Sequence, residues 1–398
     1  MAETSNISRV ANLVSEKIFK FFRWEQLRPN DENFTCCLQS EHFIPRKKRA
    51  KKSDAAAIDT GDESDHTEDD VADLEVDSVV ESPADIAVVK KLTHPTDVCF
   101  KYYDPYLGKY VYLLTDLKSY AAGSIDTGVV RKALTSLVKS VGCARVSEQW
   151  QQRYDVKGKF EIHGLLFVYN HDNSFSKDFY NYFSLWDSQH TKSAKPIHTS
   201  SLKIKKSEKM LIADPSFIQK MLTIVNDIEH LRANHKFPMG MKSYRFFYPQ
   251  KQKARVNLDA NEELTPATFE MMVSAYFIVE HDAVKQICED SGIAKEVKGT
   301  GYVVYYKEAG KTAQEFVYLL DALSSYNLLR QDYHIMVRCV SDEKDGSLMS
   351  NFKAAKDLYI KTWDLNSTSQ EILNSIDFSR VPSVVMDFCS VDLGWEVR

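Results

Sequence analysis

The sequence predicts an α/β protein in two parts, a mixed β-sheet flanked by helices followed by a second α+β unit. Hydrophobic residues make up 43% of the 398 residues and aromatic residues 12%, which is enough for a large core. Segments with strand-like and helix-like apolar periodicity alternate along the chain. No unit of about 20 to 50 residues repeats in the sequence, so we do not expect a solenoid.

The N-terminal part begins with a helix and then changes character. Apolar residues recur at helical spacing from Ile7 to Trp24. Arg46–Lys52 holds six Lys or Arg, and residues 54–85 hold thirteen Asp or Glu without a Lys or Arg. This composition predicts a disordered charged insertion over about residues 45–90. The basic run is typical either of a nuclear-import or nucleic-acid patch or of a solvated tether.

Three strong elements follow the charged insertion. Val98–Tyr103 and Lys109–Thr115 are predicted to be strands joined by a turn, in which Pro105 and Gly108 supply the bend. Apolar residues at helical spacing predict a helix over Asp126–Val141, and a β-branched and aromatic run predicts a buried strand over Phe160–Tyr169. A further strand is predicted near Phe34–Leu38. We place this domain at residues 1–175.

The second domain, at residues 176–398, is predicted to be α+β. Its alternation of strands and helices resembles a ferredoxin-like or RNA-recognition fold. Lys298–Tyr305 is close to a motif whose aromatic residues stack on unpaired bases, but Thr300 stands at one normally aromatic position, which favours the alternative of a glycine turn before a buried strand. The predicted strands are Ala275–Glu280, Tyr302–Lys307 and His334–Val340, and the predicted helices are Asp214–Arg232, Ala283–Asp290, Ala313–Leu329 and Leu348–Trp363.

Two carboxylates and a lysine stand at the ends of the first two strands. Asp97 begins one strand, and Asp116 and Lys118 follow the apolar run of the next. Residues two apart on a strand share a face, so Asp116 and Lys118 are expected to project together. Facing carboxylates are hard oxygen ligands for Mg²⁺, and a lysine beside them can stabilise charge on a phosphate. The alternative is an ordinary exposed ion pair, which contributes little stability.

This arrangement resembles the PD-(D/E)XK nuclease superfamily, whose restriction-endonuclease-like core runs helix, three strands, helix, strand. Pro95-Thr96-Asp97 supplies the first acid, and Asp116-Leu117-Lys118 supplies the second acid and the lysine. The sequence departs from the pattern in the one residue between Pro95 and Asp97, in Asp116 where Glu is commoner, and in the charged insertion. The resemblance implies a further catalytic role for Glu16 on the first helix, although the same position fits a solvated helix face.

The resemblance implies a Mg²⁺-dependent endonuclease, with Mn²⁺ as a second option, that cuts DNA in preference to RNA. Asp97 and Asp116 are the expected metal ligands, and Glu16, Asp97, Asp116 and Lys118 the expected catalytic residues. We expect a bacterial anti-phage defence effector, gated as a homo-oligomer or by a regulatory subunit. The alternative is a non-catalytic nucleic-acid-binding or assembly subunit that keeps the nuclease fold, with RNA as a conceivable ligand.

The cysteine pattern and the hydropathy of the sequence indicate in which cellular compartment the protein is expected. The seven cysteines are an odd number without a C-x-x-C pair, which favours a reducing environment and predicts neither a disulfide framework nor a zinc site. No apolar run reaches the roughly 18 residues of a membrane span, and the N-terminus lacks the order of a secretory signal. The sequence therefore predicts a cytoplasmic protein without a membrane partner.

Overall fold

The computed structural model describes residues 2–42, 92–183, 196–249, 264–287, 294–340 and 346–383. The predicted charged insertion over about residues 45–90 lies outside the described residues. Among the described residues, every helix is too short or too polar to cross a bilayer.

The first half of the chain forms a five-stranded mixed sheet. The elements are α1 (Ala2–Phe21), β1 (Glu25–Leu27), β2 (Phe34–Thr35), α2 (Gln39–His42), β3 (Thr93–His94), β4 (Val98–Asp104), β5 (Lys109–Tyr120), α3 (Thr127–Ala144), α4 (Glu148–Arg153), β6 (Phe160–Asn170) and β7 (Met210–Ala213). The strands of the sheet lie in the order β1-β4-β5-β6-β7. The β1/β4 and β4/β5 pairs are antiparallel, and the β5/β6 and β6/β7 pairs are parallel. A helix, three strands, a helix and a strand in this order confirm the restriction-endonuclease-like core.

Local sequence features explain most of these elements. The Asp126 carboxylate accepts a hydrogen bond from the Val129 amide and so caps the N-terminus of α3. Strand β6 is buried over most of its length because helices cover both faces of the sheet. The β2 strand is shorter than the strand predicted near Phe34–Leu38, and it pairs with β3 outside the main sheet.

Strand β5 is longer than predicted, and this change affects the site. The sequence predicted an end at Thr115, whereas β5 runs to Tyr120. Its last residues pair with β6, up to Tyr120 opposite Asn170. The first sheet also continues to β7, beyond the boundary at residue 175 predicted from the sequence, because β7 pairs with β6.

The second half forms another five-stranded mixed sheet. The elements are α5 (Pro215–Ala233), β8 (Tyr244–Phe246), α6 (Phe269–Val273), β9 (Tyr276–His281), β10 (Val284–Ile287), β11 (Ala294–Lys298), β12 (Gly301–Tyr306), α7 (Ala313–Ser325), β13 (His334–Val340), α8 (Ser347–Trp363), α9 (Ser367–Asn374) and β14 (Asp377–Val381). The strands of the sheet lie in the order β8-β9-β12-β13-β14. The β8/β9 and β9/β12 pairs are antiparallel, and the β12/β13 and β13/β14 pairs are parallel.

The prediction of a ferredoxin-like second domain was wrong. Neighbouring strands of a ferredoxin-like sheet are antiparallel, whereas this sheet contains two parallel pairs. Its strand order and directions instead repeat those of the first sheet, with α5 in the place of α1. The helix predicted at Ala283–Asp290 was also wrong where it is described, because residues 284–287 form β10 and pair with β11.

Helices α1 and α5 lie between the two sheets in one continuous hydrophobic core. Phe167 reaches this core from the first sheet, and Tyr305 from the second. The Asp227 carboxylate on α5 accepts hydrogen bonds from the Tyr305 hydroxyl and from Nε of Arg338, both at 2.9 Å. Tyr302 and Tyr305 are buried, so the aromatic residues of the RNA-binding-like motif have no free face for stacking on bases.

Candidate active site

Pairing of β4 with β5 brings the predicted acids together. Val98, the first residue of β4, pairs with Thr115, so Asp97 lies beside Asp116 at the next position of the ladder. Alternate residues of β5 face opposite sides of the sheet. Leu117 joins the core around α1 and α5, while Leu114 packs on the other side with α3. Asp116 and Lys118 therefore project from the α3 side.

Hydrogen bonds connect Asp97, Asp116 and Lys118. Oδ2 of Asp97 accepts from the Leu117 amide at 2.8 Å. Nζ of Lys118 lies 2.8 Å from Oδ1 of Asp116. The carboxyl groups of Asp97 and Asp116 also share a hydrogen bond. The structure therefore holds two acids and one lysine as a single contiguous group, which we call the DDK cluster.

The DDK cluster is electrostatically strained by its two acids. Burial, and then the neighbouring charge of Asp116, raise the pKa of Asp97 to about 7, although Lys118 and the Leu117 amide oppose the change. Burial lowers the pKa of Lys118, but its attraction to Asp116 and Asp97 outweighs burial and raises the pKa overall. Lys118 is therefore a permanent cation, and near neutral pH Asp97 exchanges between its protonated form and its carboxylate.

The donor set fits a hard divalent cation. Two carboxyl groups that share a hydrogen bond supply oxygen ligands at one point, and Mg²⁺ binds proteins through one or two such groups together with waters and phosphate oxygens. A cation between the carboxylates would remove the repulsion that raises the pKa of Asp97. Asp97 and Asp116 could therefore hold the metal.

The observed ion pair is not the ordinary exposed pair considered from the sequence. The Asp116 side chain is 15% exposed and that of Lys118 is 34% exposed. Both residues lie inside β5 rather than beyond its end, since the strand continues to Tyr120. Rigid strand positions reduce the freedom of both side chains, which suits a site that must hold a fixed geometry.

Glu16, the fourth predicted catalytic residue, is not joined to the DDK cluster. It lies partly buried on α1, the helix that packs on the opposite face of β5 from α3. Between the described residues, the structure has no hydrogen bond or ion pair from Glu16 to Asp97, Asp116 or Lys118. The geometry thus gives Glu16 no direct support.

The corresponding end of the second sheet lacks the acid pair. There Tyr276 pairs with Tyr306, Ala275 precedes β9, and Lys307 follows β12. Nζ of Lys307 donates to the Met272 carbonyl at 2.7 Å. Burial lowers the pKa of Lys307 to about 7. In the described part of the second half, this position therefore offers a buried lysine where the first half offers two carboxylates.

The structure also gathers a second group of potential ligands, which the sequence did not predict. Cys36, His42, His94 and Cys143 place one ligand atom each within 4.8 Å of one another. The cysteine pattern predicted no zinc site because these residues are far apart in sequence and form no short paired motif. Only the pairing of β2 with β3 and their packing beside α3 bring them together.

A comparison with protein families supports the interpretation of the first half of the chain as a nuclease domain. The family described as GAPS4 protein PD-(D/E)XK nuclease domain matches residues 1–216. This span is more than half of the chain, and it contains α1, the whole first sheet and the DDK cluster. No curated protein matches the chain, and no solved structure matches it.

Proposed function

Because the chain belongs to the GAPS4 PD-(D/E)XK nuclease family, we propose that it is a Mg²⁺-dependent endonuclease that hydrolyses phosphodiester bonds in DNA. The observation that carries this proposal is the convergence of Asp97, Asp116 and Lys118 on neighbouring strands. Mn²⁺ has the same preference for oxygen ligands and is the expected substitute.

Each member of the DDK cluster has a distinct task. Asp97 and Asp116 would supply carboxylate oxygens to the metal. A metal ion held there would lower the pKa of a bound water molecule and neutralise charge on the phosphate. Lys118, held by Asp116, presents a fixed ammonium group that can stabilise negative charge as it builds up on phosphate oxygens.

The backbone also contributes to positioning. The hydrogen bond from the Leu117 amide fixes Oδ2 of Asp97, so the carboxyl group is oriented before a metal arrives. Asp97 would have to give up its proton to hold a metal ion, so apparent metal affinity should increase as the pH rises towards and beyond 7. Glu16 would assist the metal or the water from α1, as the family resemblance implies, without a contact that supports it.

The second half would act as a non-catalytic accessory unit for dimerisation, partner binding or nucleic-acid binding. Two observations support this assignment. Its sheet repeats the topology of the first, and the end that corresponds to the DDK cluster has Ala275 and Lys307 in place of acids. We place one catalytic site in each chain.

Control of the activity is part of the proposal. A DNA endonuclease without restraint would damage the genome of its own cell, so we expect a homo-oligomer or a regulatory subunit to gate cleavage. This behaviour is that of a bacterial anti-phage defence effector, a role proposed by analogy at the level of the fold. Strong cleavage by the purified monomer without any partner would contradict the gating.

The test is a cleavage assay with a matched ion-pair control. Lys109 lies at the other end of β5 and pairs with Glu161 at 2.7 Å, much as Lys118 pairs with Asp116. Wild type, Asp116→Asn, Lys118→Met and Lys109→Met, each as the assembled oligomer or together with candidate partner subunits, are incubated with plasmid DNA and with tRNA, in Mg²⁺ or in EDTA. We expect Mg²⁺-dependent cutting of DNA that falls by about 100-fold or more in the two DDK variants and persists in Lys109→Met.

Two outcomes would refute the enzyme. Equal cleavage by wild type and Asp116→Asn would show that the DDK cluster takes no part in the reaction. Binding of nucleic acid without cleavage, in either metal ion, with either substrate and with candidate partner subunits present, would support the alternative of a non-catalytic binding or assembly subunit. Cleavage of tRNA but not of plasmid DNA would be consistent with the proposed mechanism and would identify RNA as the substrate.

A further inference from the structure

We propose that Cys36, His42, His94 and Cys143 form a structural Zn²⁺ site, separate from the DDK cluster. Two thiols and two imidazoles are a ligand set that closed, four-coordinate zinc sites use. Three of the four residues are buried and His42 is partly buried. Such an enclosed group of ligands is typical of a structural site, in which the protein provides every ligand.

The distances match the edges of a zinc tetrahedron. Zinc bonds of about 2.3 Å to sulfur and about 2.05 Å to nitrogen place two sulfurs about 3.8 Å apart, sulfur and nitrogen about 3.5 Å apart, and two nitrogens about 3.3 Å apart. The two sulfurs lie 3.6 Å apart. Nδ1 of His42 lies 3.4 and 3.5 Å from the sulfurs of Cys36 and Cys143, and 3.3 Å from Nε2 of His94.

A disulfide between Cys36 and Cys143 does not explain these positions. Bonded sulfurs are about 2.05 Å apart, much closer than the 3.6 Å observed. One ion at the centre contacts all four ligand atoms at once.

Surrounding hydrogen bonds prepare the ligands. The Ser140 hydroxyl donates to the Ser136 carbonyl at 3.1 Å, so its oxygen is free to accept from Nδ1 of His94 at 3.4 Å. That bond places the proton of His94 on Nδ1 and leaves the lone pair of Nε2 directed into the cluster. The backbone amides of Cys37 and Leu38 donate to the Cys143 sulfur, which stabilises a metal-bound thiolate.

The positions of the four ligands in the sequence indicate that the zinc site would hold separate segments of the chain together. Cys36 and His42 precede residues 43–91, His94 follows them, and Cys143 lies on α3. A zinc ion would therefore join both flanks of this 49-residue span to α3, which constrains the unfolded chain and fixes the entry to β4. His94 lies three residues before Asp97, so the ion would also hold the strand that leads into the DDK cluster.

Metal analysis of the intact protein tests the site without any cleavage assay. The full chain is purified under reducing conditions without a chelator, and its zinc is measured by elemental mass spectrometry. We expect about one zinc per chain in wild type, in Cys37→Ser and in Asp116→Asn, and at least about a tenfold loss in Cys143→Ser and His94→Ala. Cys37 is the matched control because it is exposed and lies outside the cluster.

A second measurement keeps the test decisive if the ligand variants do not fold. Wild type is grown or reconstituted with Co²⁺, and the visible spectrum is recorded. Strong d–d bands of tetrahedral cobalt together with sulfur-to-metal charge transfer would support the site. Folded wild type with negligible zinc and no such cobalt spectrum would overturn it, and so would a Cys36–Cys143 disulfide found by mass spectrometry of the freshly purified, non-reduced protein.

Discussion

Asp97→Asn should make the metal-free protein more stable at pH 8, although it removes a proposed catalytic residue. The native carboxyl group keeps its proton until the pH reaches about 7, whereas the same group in an unfolded chain loses it near 3.8. Between these values the native state binds more protons, so the free energy of unfolding decreases as the pH rises through this window. Asparagine carries no such proton. Its oxygen can still accept from the Leu117 amide, and its NH₂ group can donate to Asp116.

The size of the effect follows from the shift in pKa. A change of about three units corresponds to about 4 kcal/mol, and Asp97 is partly exposed, so we reduce the expected gain to about 1–3 kcal/mol at pH 8. At pH 4 wild type and Asp97→Asn should differ little, because this pH lies close to the unfolded pKa of 3.8, where ionisation stabilises the unfolded chain only slightly. The difference between the two proteins should therefore grow from pH 4 to pH 8.

Urea unfolding in EDTA measures this difference at each pH. Asp321→Asn serves as the control because Asp321 is an exposed residue of α7, far in sequence from the site. Excess Mg²⁺ should stabilise wild type at pH 8 and should stabilise Asp97→Asn much less. The reasoning is refuted if Asp97→Asn is less stable than wild type at pH 8 in EDTA, or if the difference is the same at pH 4 and pH 8.

Three further predictions concern stability and use urea unfolding at pH 7. Gly164→Ala should lower the free energy of unfolding by about 1–3 kcal/mol, because the added Cβ would lie 2.7 Å from a methionine sulfur and 2.9 Å from a leucine carbon. Gly123→Ala should change it little, because nothing lies within 4 Å of the added Cβ. Equal effects of the two substitutions would contradict the packing argument. Arg338→Met should lower the free energy of unfolding by about 3–5 kcal/mol, because it leaves the buried Asp227 carboxylate without the guanidinium group that pairs with it. Retention of wild-type stability would show that other groups balance the charge of Asp227. Lys307→Met should increase the free energy of unfolding, because burial lowers the pKa of the lysine to about 7 and so makes its charged form unfavourable in the native state. This gain should shrink as the pH rises towards 10, where the lysine of the unfolded chain also begins to lose its proton. A gain that does not depend on pH would point to packing alone.

The elements that carry the DDK cluster could be predicted from local sequence. Apolar runs and turn residues located β4 and the beginning of β5, and apolar residues at helical spacing located α3. The spacing of Asp97, Asp116 and Lys118 was sufficient to predict that they converge, because the hairpin fixes its own register once the turn is known. Their roles in the reaction stay predictions.

Features that depend on distant pairing could not be read from the sequence. The extension of β5 to Tyr120 depends on β6, which lies forty residues further on and pairs with it in parallel. The cluster of Cys36, His42, His94 and Cys143 depends on the packing of three separate segments, and no local motif signals it. The second sheet was assigned the wrong topology because alternating strands and helices do not specify strand order or direction.

The shared core explains why a half without the acid pair can still affect the geometry of the DDK cluster. The inner face of β5 contributes Leu113 and Leu117 to the core around α1 and α5, and the second sheet completes that core with Phe277 and Val303. Without the second half, these apolar surfaces would be exposed to water, a cost of roughly 25 cal/mol for each Å². Asp116 and Lys118 alternate with residues of this core along one strand, so the geometry of the DDK cluster depends on packing that both halves supply.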